Sequence, residues 1–161
     1  MKLEDALKTD KLLDVRQKAD LNILYTASRL KIAVNRRYRE FGLTFEQANV
    51  LRILLGSHPK PLCRKDIADR MIDRTSNVTR IVDKLATRGK VVKGVSETDR
   101  REIAVALTDE GYGLIQSLSA EINVMEFHRS ALTDDEALTL HLLIEKRRAT
   151  LEPESPTDDF A

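Results

Sequence analysis

The sequence predicts a mainly α-helical protein with one small β-hairpin, arranged as a winged helix-turn-helix between N- and C-terminal dimerisation helices. Three observations predict it. Val78, Ile81, Val82 and Leu85 recur at i, i+3, i+4 and i+7, which gathers them on one stripe of a helix. The period then changes: Val91 and Val92 begin a short run, and Ile103, Val105 and Leu107 alternate as a half-buried strand does. Between the two runs lies Ser96-Glu97-Thr98-Asp99-Arg100-Arg101, a polar hairpin tip with two adjacent arginines.

Taken in order, residues 1–19 carry leucines among charges, compatible with a short packing helix or with a frayed terminus. A long helix is expected from Asp20 to Phe41. Leu21, Leu24 and Ile32 trace one side of it, and Ile23, Ala27, Leu30, Val34 and Tyr38 another, so it should lie between two surfaces. Asn35 on that helix reads better as a hydrogen-bonded core amide than as a ligand contact. Three helices open after a Leu-Thr pair, at Thr44, Thr108 and Thr133, each threonine an N-cap. Gln47 and Glu136 complete capping boxes with Thr44 and Thr133. The second helix runs from Thr44 to Leu55, and residues 60–62 offer a short third strand beside the hairpin.

Arg64 to Met71 is the first helix of the helix-turn-helix, with Ile67, Ala68 and Met71 inward. Cys63 stands at its N-cap position, and Asp66 can help to satisfy the backbone there. The striped helix follows and Gly89 stops it. Thr108 to Phe127 is a long helix; Gly111 and Gly113 lie within its opening sequence, outside any strand–turn–phosphate context, so they do not read as a nucleotide loop. Thr133 to Leu151 is the last helix, and its broad apolar surface, Ala137, Leu138, Leu140, Leu142, Leu143, Ile144 and Leu151, suits burial against another subunit. The domain plan is therefore dimerisation helices at 1–42 and 108–151, a DNA-binding lobe at 43–107, and a disordered acidic tail at 152–161.

Composition narrows the function. The chain has 161 residues, 42% of them hydrophobic and 33% charged, enough for one helix-rich domain with a core. Aromatics are only 4% and Trp is absent, which argues against stacking platforms for single strands. The net charge of +1 is uninformative, but its distribution is not: residues 60–103 hold 12 Lys/Arg against 7 Asp/Glu, and the remainder is net acidic. A single cysteine permits no intramolecular disulfide and fits a reducing compartment. With no signal peptide or membrane-length apolar run, a cytoplasmic protein is expected. His58, His128 and His141 are widely spaced and lack partners at metal-ligand spacing, and no nucleophile elbow is present, so neither an enzyme nor a cofactor is expected.

The outer face of the striped helix carries the chemistry. Ser76, Arg80, Asp83 and Thr87 point away from the stripe, with Asn77 and Lys84 on one flank and Thr79 on the other. An ordinary solvated face would look similar, but helix-turn-helix context favours contact with the major groove of double-stranded DNA. Arg80 suits a bidentate contact with guanine. Ser76, Asn77 and Thr79, near the positive helix N-terminus, suit phosphates or base edges. Lys84 joins them, and Lys65 and Lys93 are weaker phosphate candidates. Asp83 would repel the DNA backbone unless paired, and an arginine is its expected partner. The hairpin would reach phosphates or the adjacent minor groove.

The run S-N-V-T-R-I-V-D-K-L-A-T-R-G-K-V, followed by D-R-R and then V-A-L-T-D-E-G, resembles the signature of the MarR family of transcription regulators. The likeness extends more loosely over residues 20–150. Cys63 departs from it, since the family usually has Ser or Thr there; a structural role is preferred to a redox one, because no second Cys could resolve an oxidised thiol. The resemblance implies that Asp99 holds Arg101 against the minor groove, with Arg100 on phosphate. It implies a homodimer on a pseudo-palindromic operator with half-sites about 10 bp apart. Repression by promoter occlusion is the commoner outcome in such families. A small anionic aromatic effector would bind between the Asp20–Phe41 helix, the second helix and the DNA-binding lobe. The alternative is a protein-interaction module that keeps the fold without binding DNA.

Overall fold

A computed structural model of the chain describes residues 2–8, 14–95, 101–125 and 131–151, excepting the side chains of 122–125. The elements are α1 (Leu3–Leu7), α2 (Val15–Glu40), α3 (Phe45–Leu55), β1 (Leu62–Cys63), α4 (Arg64–Asp69), α5 (Val78–Thr87), β2 (Val91–Val95), β3 (Ile103–Leu107), α6 (Asp109–Met125) and α7 (Asp134–Ala149). They divide into two compact units, Met1–Ser119 and Ala120–Ala161. The expected tail at 152–161 and the end of the Thr108–Phe127 helix lie outside the described residues.

In the first unit, α2 begins earlier than Asp20. Asp14 caps it, accepting the Arg16 N–H at 3.0 Å, and the first helical residue, Val15, is exposed. Apolar periodicity could not mark a start that no buried side chain marks. Among the described residues of α2 only Tyr38 is buried, while Leu24, Leu30 and Ile32 are open in the single chain. None of the described residues of this unit covers them.

The α3 N-terminus satisfies its orphan amides as the residues require. Thr44 Oγ1 accepts the Gln47 N–H at 3.3 Å, and Gln47 Oε1 accepts the Thr44 N–H at 3.0 Å. Asn35 Oδ1 takes the Phe45 N–H at 2.9 Å, so this amide is a strut from α2 to the first turn of α3. Ala48, Val50, Leu51 and Leu54 of α3 are buried with Ile67 of α4 and Val78, Val82 and Leu85 of α5. Each fully buried Leu, Ile or Val contributes about 1.5–3 kcal/mol. Ala68, expected inward, is only half-buried, and α4 ends at Asp69, while Met71 reaches the core from the turn beyond.

The sheet is antiparallel, in the order β1-β3-β2. Leu62 and Cys63 pair with Val105 and Ala104, and β2 pairs with β3 from Val91↔Leu107 to Val95↔Ile103. The third strand thus exists, starting at Leu62 and not Lys60. Its second residue, Cys63, also caps α4, its sulfur accepting the Asp66 N–H at 3.4 Å.

One joint connects α5, the hairpin and α6. Gly89, at φ +67°, ends α5 in the left-handed region that favours glycine. Thr108 donates its N–H to the Lys90 carbonyl at 3.2 Å and its hydroxyl to the Gly89 carbonyl at 2.7 Å, and its Oγ1 accepts the Gly111 N–H at 3.0 Å. Gly111 then lies against Lys90 so closely that a Cβ would fall 1.9 Å from the Lys90 carbonyl oxygen. The Lys90 ammonium and Glu110 carboxylate form an ion pair over the same joint.

In the second unit, α7 opens with the expected capping box: the Glu136 N–H meets Thr133 Oγ1 at 3.3 Å and Glu136 Oε2 accepts the Thr133 N–H at 2.8 Å. None of the residues of α7 is buried, and Leu138, Leu140, Leu142, Leu143 and Ile144 are exposed. Among the described residues no helix is long and apolar enough to cross a membrane.

The joint separates two nearby glycines. Gly111→Ala should destabilise the protein by about 3 kcal/mol or more, since the new methyl meets backbone that cannot give way. At Gly113 an added Cβ meets nothing within 4 Å, so Gly113→Ala should stabilise by about 0.5–1 kcal/mol. Urea denaturation of the two variants reads the difference; equal effects would refute the close approach.

Candidate nucleic-acid interface

The α5 helix splits into a core face and an outer face, as its spacing requires. Val78, Val82 and Leu85 are buried and Ile81 is half-buried, whereas Thr79, Arg80, Asp83, Lys84 and Thr87 are exposed. Its start differs from the periodic reading by two residues. Asn77 is the N-cap, its Oδ1 accepting the Arg80 N–H at 3.0 Å, so Asn77 stands at the helix end and not on a flank. Ser76 precedes the helix in a turn, half-buried, donating its N–H to the Asp73 carbonyl at 3.1 Å. The capping oxygen outweighed the helical period because it satisfies an amide that the stripe leaves unpaired.

An open groove runs along this face, between α5 and the turn from α2 to α3. Asn77, Thr79, Arg80, Lys84 and Arg88 line it opposite Gly42 and Thr44. A second, adjoining hollow brings Ser76 to Asn77, Arg80 and Lys84. Five of the eight expected contact residues therefore share one surface. Arg101 is exposed, two residues ahead of β3, and Asp99 and Arg100 lie outside the described residues.

Electrostatics refine the picture. Asp83 pairs with Lys93 of β2 at 2.8 Å, and not with the expected arginine. The hairpin brings a lysine to the middle of α5, a neighbour that only strand pairing can supply. The same bond engages Lys93, one of the two weaker phosphate candidates. Two arginines escaped the sequence reading. Arg64 Nη1 donates to Thr79 Oγ1 at 3.4 Å, so the start of α4 places a guanidinium beside α5. Arg88 Nη1 donates to the Gly42 carbonyl at 2.6 Å, tying the end of α5 to the α2–α3 turn. Arg64 could have been sought from the rule that the first helix of a helix-turn-helix crosses the DNA backbone; no local signal points to the Arg88 contact.

Cys63 is half-buried. The Asp66 N–H stabilises its thiolate, but desolvation and the Asp66 and Glu102 side chains outweigh this and push the thiol above its ordinary pKa. A thiol raised in this way is a weaker nucleophile at neutral pH, in keeping with a structural role.

With side chains, an α-helix is about 10–12 Å across, which matches a major groove about 12 Å wide. A short helix whose outer face presents Arg, Thr, Lys and a capping Asn can donate hydrogen bonds to phosphates and base edges, and the Arg80 guanidinium can do so in a planar, bidentate way.

Comparison with known proteins follows the same lines. The MarR family model matches residues 41–102. The chain is 29% identical over 96 residues to the HTH-type transcriptional regulator MhqR of Bacillus subtilis (strain 168), covering 57% of this chain and 65% of that protein. The solved MarR transcription factor from Planctomyces limnophilus is 31% identical, with 86% of this chain and 99% of that one covered and a TM-score of 0.62. The MepR–DNA complex of Staphylococcus aureus shares the fold at a TM-score of 0.71 and 19% identity, with 83% and 96% covered.

The cap made by Asn77 can be separated from its amide donor. Asn77→Ala should lose the cap and about 1 kcal/mol of stability. Asn77→Asp should keep the cap, because aspartate accepts the same Arg80 N–H, while losing the amide donor and adding a negative charge. Urea melts should rank Asp with the wild type and Ala below both; a stable Ala variant would show that the cap is idle.

Proposed function

The chain belongs to the MarR family of winged helix transcription regulators, and on that footing we propose that it binds double-stranded DNA sequence-specifically as a homodimer and represses by occluding a promoter. The observation that carries this reading is the gathering of Ser76, Asn77, Thr79, Arg80 and Lys84 around an exposed face with the hairpin beside it. In this reading α5 enters the major groove and the hairpin tip, with Asp99, Arg100 and Arg101, addresses the neighbouring minor groove. Residues 43–107 form the DNA-binding lobe. Residues 1–42 and 108–151 form the dimer, a role that the open apolar residues of α2 and α7 support. A small anionic aromatic effector would release the DNA by binding the DNA-incompetent arrangement better; its support is family membership. Band shifts with DNA from the protein's own promoter region test the central claim, and failure to shift any such duplex at low salt would leave the interaction-module alternative.

Arg80 and Arg101 should fail differently. Arg80→Ala should cost about 1–3 kcal/mol on the cognate duplex and relax preference at one position per half-site. Arg101→Ala should weaken cognate and scrambled duplexes more evenly and reduce the salt slope by about one per lost electrostatic contact. Titrations of both variants across a salt series decide. Preference lost with Arg101 and kept without Arg80 would make the hairpin the reader.

The dimer is testable separately. Truncation after Leu132 removes α7, and sedimentation should then find monomer or aggregate without operator affinity. A soluble truncated monomer that still bound operator would remove α7 from the assembly.

A further inference from the structure

Lys31 lies in the middle of α2, outside the α5 groove, yet it reaches the segment that leads into α5. Its Nζ stands 3.3 Å from Glu46 Oε1 and 3.5 Å from Asp73 Oδ2. It also lies 5.3 Å from the centroid of the Phe45 ring, at a distance suited to a cation–π contact. Phe45 and Glu46 open α3, and Asp73 begins the turn into α5. That turn is organised by Asp73: its Oδ1 accepts the Thr75 N–H at 3.1 Å and the Thr75 hydroxyl at 2.6 Å, and its carbonyl accepts the Ser76 N–H. From the other side, the Ile72 N–H donates to Asn49 Oδ1 of α3 at 2.9 Å. The Thr75 bonds, with the Lys31 charge, hold the Asp73 carboxyl below its ordinary pKa, so it is ionised at neutral pH. Without Lys31, two carboxylates that now share one ammonium would face each other unbridged.

We propose that Lys31 is a positioning residue for DNA recognition, tying α2 to the turn that aims α5 without itself touching DNA. The role rests on the DNA-binding reading above. The residues that read DNA begin at Ser76, three residues beyond Asp73, so slack in this turn is passed directly to Ser76 and the Asn77 cap. It also links α2, whose Leu24, Leu30 and Ile32 are exposed, to the turn that leads into α5.

The test compares Lys31→Met, which keeps most of the apolar stem and removes the charge, with Asp73→Asn, which keeps the acceptor for Thr75, the double variant, and Lys31→Arg. In the free protein, amide hydrogen exchange at Thr75 and Ser76 should quicken in Lys31→Met and Asp73→Asn. The double variant should be no faster than either, and Lys31→Arg should stay near wild type. The DNA probe is the duplex that the wild-type protein enriches from a randomised pool, with a scrambled duplex of equal composition. Lys31→Met should bind the enriched duplex about three- to tenfold more weakly, the scale of two partly exposed ion pairs, with an unchanged salt slope and no further loss on adding Asp73→Asn. A salt slope lowered by about one, additive with Asp73→Asn, would make Lys31 a phosphate contact and overturn the proposal. Wild-type exchange and binding in Lys31→Met would overturn it as well. Should the wild type enrich no duplex, the DNA-binding reading falls and the role in recognition with it, while the exchange data still decide whether Lys31 holds the turn.

Discussion

The backbone of Gly111 against the carbonyl of Lys90 is the constraint on which the rest of the lobe depends. It fixes where α6 leaves the sheet relative to the point where α5 enters it. Thr108 completes the joint by bonding both Gly89 and Lys90 from the far end of the hairpin. A helix, a glycine, a strand and the L-T-x-x-G opening of the next helix thus form one mechanical unit. From the joint, β2 and β3 run in the register Val91↔Leu107 to Val95↔Ile103, and β2 brings Lys93 beside α5. Under the proposed function, a reading face made of a helix and a hairpin needs such a joint, because misplacement by 1 Å spoils a bidentate contact.

The face itself balances attraction against repulsion. Asp83 sits among Arg80, Lys84 and Arg88, and its pairing with Lys93 spends one cation on a carboxylate. Exposed pairs of this kind contribute about 0–1 kcal/mol to stability. The pair also means that neither the Asp83 carboxylate nor the Lys93 ammonium stands as an isolated charge beside α5. Arg64 and Arg88 belong to the same surface although they come from α4 and from the end of α5. Both donate to neutral oxygens, a hydroxyl and a backbone carbonyl.

Much of this was legible in the residues. Thr44, Gln47, Thr133 and Glu136 announced their helix starts because capping is a local bond between residues three apart. The stripe of Val78, Val82 and Leu85 announced its buried face because a helix of fixed period has no other way to hide them. Asn35 was read as a bonded amide, and Phe45 proves to be its partner, ten residues on. Less legible were starts without an apolar marker, such as Asp14 before the exposed Val15, and the displacement of Ser76 and Asn77 from helix face to turn and cap.

The sequence by itself determined most of the elements, the caps at Thr44 and Thr133, the inward stripe and the residue types on the outer face, since each depends on bonds and periods spanning a few residues. Tertiary structure alone decided which distant groups meet: Asp83 with Lys93, Arg64 with Thr79, Arg88 with Gly42, and Lys31 with both Glu46 and Asp73. Such pairings are set by how helices and strands are packed, and a long charged side chain can reach any of several partners within its radius. The choice among them is made by which elements pack together, not by spacing along the chain.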